Sequence, residues 1–398
     1  MTLEIPHHIR PLRERVETFL TERVYPAEDV LNREDHTSWA QLRTLMEEAK
    51  SEGLWALGHP EEIGGQGLDF LDYVFVNEVI GRSEHGVFVF GTHSLQDSIM
   101  LQLYASPRWR EQFLRPLVNG EIFSSIGMTE PDVASSDPTQ YRTTAVLEDG
   151  HWVINGRKWF TSGAGRATYT TVMARTEPDA PNHDAFSMIV VPNETAGYDI
   201  VRDVPMLGMH GHEHCEVVLD DVRVPEDHLL GPRGQGFKIA QQRLGPGRIF
   251  HVMRFLGQAQ RAFDLMCERA NNRTAFGSTL AEKQLVQKMV FDSYTEIQAS
   301  RLMTLKAAER IDQGDEARVE IGAIKVVAAQ MLNNVVDRAV QIFGAKGLTN
   351  DTPLGRMYRH ARPSRIYDGP DEVHIQSVAR RLLRRYADGG DGLDFALD

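Results

Sequence analysis

Apolar residues recur every three to four positions through the first 120 or so residues. Ile9, Leu12, Val16, Phe19 and Leu20 share one helical face, and Leu42, Leu45, Met46 and Ala49 repeat the spacing. Pro60 and the run Gly64-Gly65-Gln66-Gly67 break the pattern, and another apolar helix is predicted from about Asp69 to Ile80. From about Glu121 to Leu230 the texture changes. Thr144–Leu147 and Trp152–Ile154 flank Glu148-Asp149-Gly150, a hairpin turn signal, and β-rich runs follow at Thr168–Ala174, Phe186–Val191 and Glu216–Leu219. Short strands with polar turns predict a small antiparallel barrel or sandwich. After Gly231–Gly236 the helical period returns. Ile324, Val327, Ala328, Met331, Val335 and Ile342 form one stripe, and Val286, Met289, Val290 and Ile297 form a second, predicting long helices packed as a bundle. The expectation is an α+β multidomain chain: an N-terminal helical domain over 1–120, a central antiparallel β domain over 121–232, and a C-terminal four-helix bundle over 233–388. The Gly/Asp-rich acidic tail, 389–398, is expected to be disordered.

Composition narrows this. The 398 residues fit two or three domains, and 41% apolar with 25% charged residues is ordinary globular usage. With 43 basic and 56 acidic side chains the net charge is −13, which disfavours nucleic acid or an anionic membrane as partner. An anionic ligand would need local arginines or backbone N–H groups. Cys215 and Cys267 alone make no disulfide framework or thiolate zinc cage, and suit a reducing compartment. By this reading no apolar run approaches the ~20 residues of a membrane span, and Met1–Arg10 lacks a signal-peptide core. The expectation is a cytoplasmic protein with neither membrane nor nucleic acid as partner.

Three segments carry candidate chemistry. In Ser125-Ile126-Gly127-Met128-Thr129-Glu130-Pro131-Asp132, followed by Val133-Ala134-Ser135-Ser136-Asp137, hydroxyls and free backbone N–H groups could bind a polarised heterocycle or carbonyl; a turn-rich domain linker has the same composition. Gly156-Arg157-Lys158-Trp159-Phe160-Thr161-Ser162-Gly163 sets an indole near a hydroxyl, as a planar cofactor would use, although Trp159 also reads as a core aromatic. In Arg365-Ile366-Tyr367-Asp368-Gly369-Pro370-Asp371-Glu372-Val373-His374, a carboxylate before a tight turn could act as a general base if partly desolvated; helix capping by Asp371 or Glu372 is the plainer reading. Two weaker patterns fall away. The glycine run at 64–67 lacks the Lys-Ser/Thr ending and leading strand of a phosphate loop. His210, His212 and His214 alternate as zinc ligands in a strand could, but Met209 and Gly211 suggest a loop edge, so no metal is expected.

Taken together, these segments resemble the acyl-CoA dehydrogenase family, in order and over nearly the whole chain. Pro60–Gly67 with Glu78 looks like its N-terminal signature, Met128-Thr129-Glu130-Pro131 like its flavin loop, and Trp159-Phe160-Thr161 like its isoalloxazine strand. Asp221-Val222-Arg223-Val224-Pro225 with Leu230-Gly231 resembles the exit from the β domain. Arg273-Thr274-Ala275-Phe276-Gly277 is similar to the segment reaching a neighbouring subunit's FAD, and Gln341–Gly347 to the second flavin signature.

The resemblance implies FAD as cofactor, with Met128 and Thr129 bonding the ring, Trp159 against it and Thr161 near N5. It implies that Arg273, Phe276, Gln341 and Gly344 contact FAD across a homodimer or homotetramer interface, with Glu372 a further FAD contact. Arg248, Gly369 and either Ser135 or Ser136 would hold the acyl-CoA substrate. Asp368 takes the position of the catalytic carboxylate, its backbone N–H helping to bind the developing enolate oxygen; it would remove the α-proton while flavin N5 accepts the β-hydride, giving the 2-enoyl-CoA. Electron-transferring flavoprotein is the implied acceptor. The sequence departs from the common pattern in having aspartate for glutamate, Pro370 for a threonine, and one extra residue between Glu130 and Asp137. Asp-Gly-Pro-Asp-Glu-Val-His resembles a branch found in bacteria and in the dehydrogenase part of larger eukaryotic proteins. The rival expectations are a flavin oxidase of the same fold, acting on acyl-CoA or nitroalkanes, and a DNA-binding relative with little activity, which the −13 charge opposes.

Overall fold

The structure is a computed structural model that describes residues 4–33, 35–207 and 214–389. Helices α1 (Arg10–Phe19), α2 (His36–Ser51), α3 (Phe70–Ile80) and α4 (Leu95–Tyr104) precede the strands. These are β1 (Ser124–Gly127), β2 (Thr144–Glu148), β3 (His151–Ser162), β4 (Tyr169–Arg175), β5 (Phe186–Pro192), β6 (Tyr198–Asp203), β7 (His214–Pro225) and β8 (Leu229–Leu230). Then come α5 (Gly236–Asn272), α6 (Gln284–Asp312), α7 (Arg318–Phe343), α8 (Leu354–Ala361) and α9 (Asp371–Ala387). Internal contacts group the chain into two compact units. One holds residues up to Leu20, Phe70–Glu84 and the chain from Gly245 on; the other holds Thr21–Asp69 and His85–Leu244. Two stretches of the N-terminal third therefore belong with the C-terminal helices.

The second of these units is built on the sheet, with strand order β6-β7-β3-β2-β4-β5-β8 and β1 beside β4. Its pairs are antiparallel except that β1 runs parallel to β4 and β2 meets β4 in parallel at a single residue pair. The β2–β3 hairpin forms as the turn chemistry predicts. Glu148 pairs with His151, and Asp149 and Gly150 take φ of 47° and 75°, the left-handed pair that matches strand twist. Alternate residues of the strands supply the core, including Trp152, Ile154, Val172, Ile189, Val191, Val217 and Leu219. Helix α2 starts where the Asp35 carboxylate accepts from the Thr37 and Ser38 N–H groups, and it buries Leu42, Leu45, Met46 and Ala49. The glycine run at 64–67 makes a packed turn: Gly64 has φ of 102°, and a Cβ on Gly65 would lie 2.0 Å from the His59 carbonyl oxygen.

In the helical unit, α3 and α5 touch backbone to backbone. A Cβ on Gly81 would fall 2.4 Å from Arg254 Cα, and one on Gly257 would fall 2.1 Å from the Glu78 carbonyl oxygen. Asn77 Nδ2 donates to the Phe250 carbonyl at 2.8 Å, and the buried Glu78 carboxylate pairs with Arg301 Nη2 at 2.7 Å. These contacts fix the azimuth of α5, and hence the direction of the side chains it presents. Helix α7 packs against α6, α8 and α9. Its stripe buries Ile324, Ala328, Met331, Val335 and Ile342, while Val327 is 37% exposed, since the buried arc is narrower than the sequence suggested. In the α6 stripe only Ile297 is fully buried; Val286, Met289 and Val290 are half-buried. One expectation needs correcting: the stretch Arg318–Leu348 is long and apolar enough to cross a membrane by length and composition. Its apolar side chains are mostly used in packing, as in the core helix of a globular domain.

Candidate functional site

In the sheet unit, the chain leaving β1 runs alongside a deformity in β3. Lys158 pairs with Val217 and Thr161 with Cys215, so β3 carries one extra residue between them. Phe160 absorbs it with φ of 48°, a left-handed conformation costly for a bulky residue. The bulge brings Lys158 and Thr161, three residues apart, to buried positions, and leaves Trp159 half-buried between them. Trp159 N–H donates to the Thr129 carbonyl at 3.0 Å, and the Thr129 hydroxyl donates back to the Trp159 carbonyl. The flavin loop and isoalloxazine strand expected from sequence are thus joined. Thr161 is fully buried and, among the described residues, its Oγ1 has no partner. A buried hydroxyl left unpaired is costly unless a ligand satisfies it, so this residue fits a polar heterocycle bound beside Trp159.

The loop is anchored by a pair the sequence reading missed. Lys158 Nζ donates to the Met128 carbonyl at 3.0 Å and to Glu130 Oε1 at 2.9 Å. Glu130 also accepts from the N–H groups of Arg142, at 2.7 Å, and Thr143, at 2.9 Å. Burial pulls Lys158 down to about 8 against the attraction of Glu130. Burial alone would raise Glu130; the Lys158 charge and these hydrogen bonds hold it below the usual carboxylate range. The Ser135 hydroxyl is used inside the loop, donating to the Glu130 carbonyl and accepting from the Glu130 N–H. Ser136 is exposed.

In the helical unit, Asp368 precedes α9 with φ of 55°, and Gly369 follows with φ of 101°. The Asp368 carbonyl accepts from Arg248 Nε at 3.0 Å and from His374 Nε2 at 3.1 Å. Its carboxylate Oδ2 lies 3.1 Å from His251 Nε2. Lys325, fully buried on α7, donates to the Ser364 carbonyl at 2.5 Å and reaches the Gly369 carbonyl at 3.4 Å; burial pulls it down to about 8. Asp371 is buried, held by Arg365 Nε at 2.7 Å, whereas Glu372 is exposed. Asp368, Gly369 and Arg248 are therefore brought together as the sequence implied. Arg248, expected on the substrate's CoA arm, uses its Nε on the backbone of Asp368. Lys325 and His251 gave no sequence signal beyond being polar residues on apolar helix faces.

The residues expected to reach a neighbouring subunit are on the surface. Phe276 is fully exposed with φ of 52°, between the paired segments Thr274–Ala275 and Ser278–Thr279, and Arg273, Gln341 and Gly344 are also exposed. Of the alternating histidines, His210 and His212 lie outside the described residues, and His214 Nδ1 shares a 2.8 Å hydrogen bond with the Ser162 hydroxyl. Among the described residues no cluster of three or more His, Cys, Asp or Glu could hold a metal ion.

Comparison with known proteins places the chain that carries these two sets of residues in a family. Family models for the N-terminal, middle and C-terminal domains of acyl-CoA dehydrogenases match residues 7–121, 125–222 and 234–383. The chain is 44% identical over 388 residues to a probable acyl-CoA dehydrogenase, FadE2, of Mycobacterium tuberculosis, covering 94% of this chain and 95% of that protein. It is 39% identical to human acyl-CoA dehydrogenase family member 11 over 94% of this chain but only 50% of that protein, so it spans about half the length of that relative. A solved Mycobacterium abscessus structure, described as an acyl-CoA dehydrogenase, superposes with a TM-score of 0.90 at 36% identity, covering 96% of this chain and 100% of that one. The chain belongs to the acyl-CoA dehydrogenase family, a family of FAD-dependent oxidoreductases.

Proposed function

We propose that this protein desaturates an acyl-CoA thioester between Cα and Cβ, with Asp368 as the base, to give the 2-enoyl-CoA. The observation that carries this reading is the setting of Asp368: a left-handed carboxylate residue in the turn that leads into α9, its carbonyl fixed by Arg248 and His374. Side-chain exposure of 21% leaves the carboxylate within reach of a ligand while much of its hydration is removed. A fixed backbone limits the misplacement that a short side chain could otherwise suffer.

FAD, when bound, supplies the acceptor for the β-hydride. Met128 and Thr129 would hold the ring from the loop, Trp159 would cover it, and the unpaired Thr161 hydroxyl would gain a partner. Ser136 rather than Ser135 is assigned to the CoA arm, because the Ser135 hydroxyl is occupied within its loop. Arg273, Phe276, Gln341 and Gly344 are assigned to FAD of a second copy in a homodimer or homotetramer; a fully exposed phenylalanine supports burial by such a copy. Glu372 is assigned to FAD and Gly369 to the thioester. Electron-transferring flavoprotein is the proposed acceptor.

The test is anaerobic bleaching of the flavin by straight, branched and 4-hydroxyacyl-CoAs, with wild type and Asp368→Asn compared. The expected result is bleaching of wild type by at least one thioester, and an Asp368→Asn protein that folds and holds FAD but stays oxidised. Bleaching of that variant at the wild-type rate would overturn the base assignment. Slow reoxidation in air is expected; rapid reoxidation with peroxide release would make the enzyme an oxidase.

A further inference from the structure

Arg248, His251 and Arg254 are spaced by three along α5 and so lie on one helical face, the face met by the turn that carries Asp368. Arg254 Nη2 lies 2.6 Å from His251 Nδ1, and His251 Nε2 lies 3.1 Å from Asp368 Oδ2. An arginine nitrogen can only donate, so Nδ1 must be the unprotonated acceptor and the imidazole proton must sit on Nε2. An ionised carboxylate can only accept, so that proton points to Oδ2. The hydrogen bonds run in one direction, from Arg254 through a neutral His251 to Asp368. A second proton on His251 would set an N–H against Arg254, so the arginine opposes the imidazolium form.

On the reading that Asp368 is the base, we propose that His251 is its positioning residue: the Nε2–H holds the carboxylate at Oδ2 and so fixes its direction toward the substrate's α-proton. Arg248 and His374 act on the Asp368 carbonyl, and Lys325 reaches the carbonyls of Ser364 and Gly369, whereas His251 meets the carboxylate itself. Of the remaining charged and titratable neighbours, Tyr73 and Tyr367 lie near Arg254, Glu84 lies near Tyr367, and Asp371 lies near Lys325. Tyr367 also packs its ring 5.4 Å from the His251 ring, limiting the imidazole's freedom to swing away.

The experiment uses the FAD-loaded enzyme and compares His251→Ala, His251→Gln and Asp368→Asn by anaerobic flavin reduction across pH, with FAD content and thermal midpoint measured alongside. Losing the donor should slow reduction in His251→Ala by roughly 10–100-fold without changing half-saturation by acyl-CoA. Its acid limb should move to higher pH, because the carboxylate loses a hydrogen bond that favours its ionised form. Glutamine, whose Nε2 can donate from a similar place, should restore part of the rate. A His251→Ala enzyme with wild-type rate and acid limb overturns the proposal, as does equal slowing in both His251 variants with an unmoved limb. A fully active Asp368→Asn instead removes the base on which the proposal rests, and the two failures are told apart by which variant retains activity. Independently of turnover, ¹⁵N-histidine spectra should show His251 as the Nε2–H tautomer at pH 7; an Nδ1–H or imidazolium pattern would also overturn it.

Discussion

Lys158 Nζ and Glu130 Oε1 lie 2.9 Å apart with both side chains buried, and the same ammonium holds the Met128 carbonyl. The pair ties β3 to the loop proposed to face the flavin. Removing one member leaves a buried charge without its partner, at a cost of about 3–5 kcal/mol, whereas removing both forfeits much less. Lys158→Met should therefore destabilise strongly, and Glu130→Gln/Lys158→Met should recover a large part of the loss in denaturant titrations. The pH dependence has a definite sign. Glu130 is held below its ordinary value in the folded chain, so its contribution is full above the usual carboxylate range and is lost as pH falls through the folded value. Stability of the wild type should fall with acidification more steeply than that of Glu130→Gln.

Thr161→Val separates folding from cofactor binding. The hydroxyl is buried without a partner among the described residues, and valine matches its shape while removing the polar group. The FAD-free variant should unfold at the same temperature as wild type or slightly above it. If the hydroxyl meets the flavin, the variant should bind FAD more weakly, by about 0.5–1.5 kcal/mol or up to roughly tenfold in a fluorescence titration. A lowered midpoint in the FAD-free variant with unchanged FAD affinity would make Thr161 a structural residue.

Much of this could be read from the chain because the determinants are local. Asp149-Gly150 needs only two residues to specify its turn, and Leu42, Leu45, Met46 and Ala49 need only helical spacing to mark the buried face of α2. Met128, Thr129, Trp159 and Asp368 were recognisable as motifs of contiguous residues. What escaped depends on contacts distant in sequence. Lys158 reads as a surface charge in a strand until a bulge turns it inward to Glu130, 28 positions away. His251 reads as one polar residue on an apolar helix until the turn 117 positions later brings Asp368 to it. Gly81 and Gly257 are likewise unremarkable until α3 and α5 cross at backbone contact. The choice between Ser135 and Ser136 was closed to sequence because adjacent hydroxyls differ only in which one the loop consumes.

Gly369→Ala should disturb the base through its backbone. Gly369 has φ of 101°, and an added Cβ would lie 2.6 Å from His374 Nε2, the atom that donates to the Asp368 carbonyl. An alanine there must either push His374 away or pull the turn out of its left-handed conformation, and each movement releases Asp368. The expected cost is about 1–3 kcal/mol from crowding and backbone strain. Gly314→Ala is the control: its φ of 86° imposes similar backbone strain, yet its Cβ would meet open space at the end of α6. Both variants should lose stability, Gly369→Ala more. Only Gly369→Ala should slow anaerobic flavin reduction, with FAD content unchanged. Equal reduction rates in the two variants would show that the His374 contact does not govern the placement of Asp368.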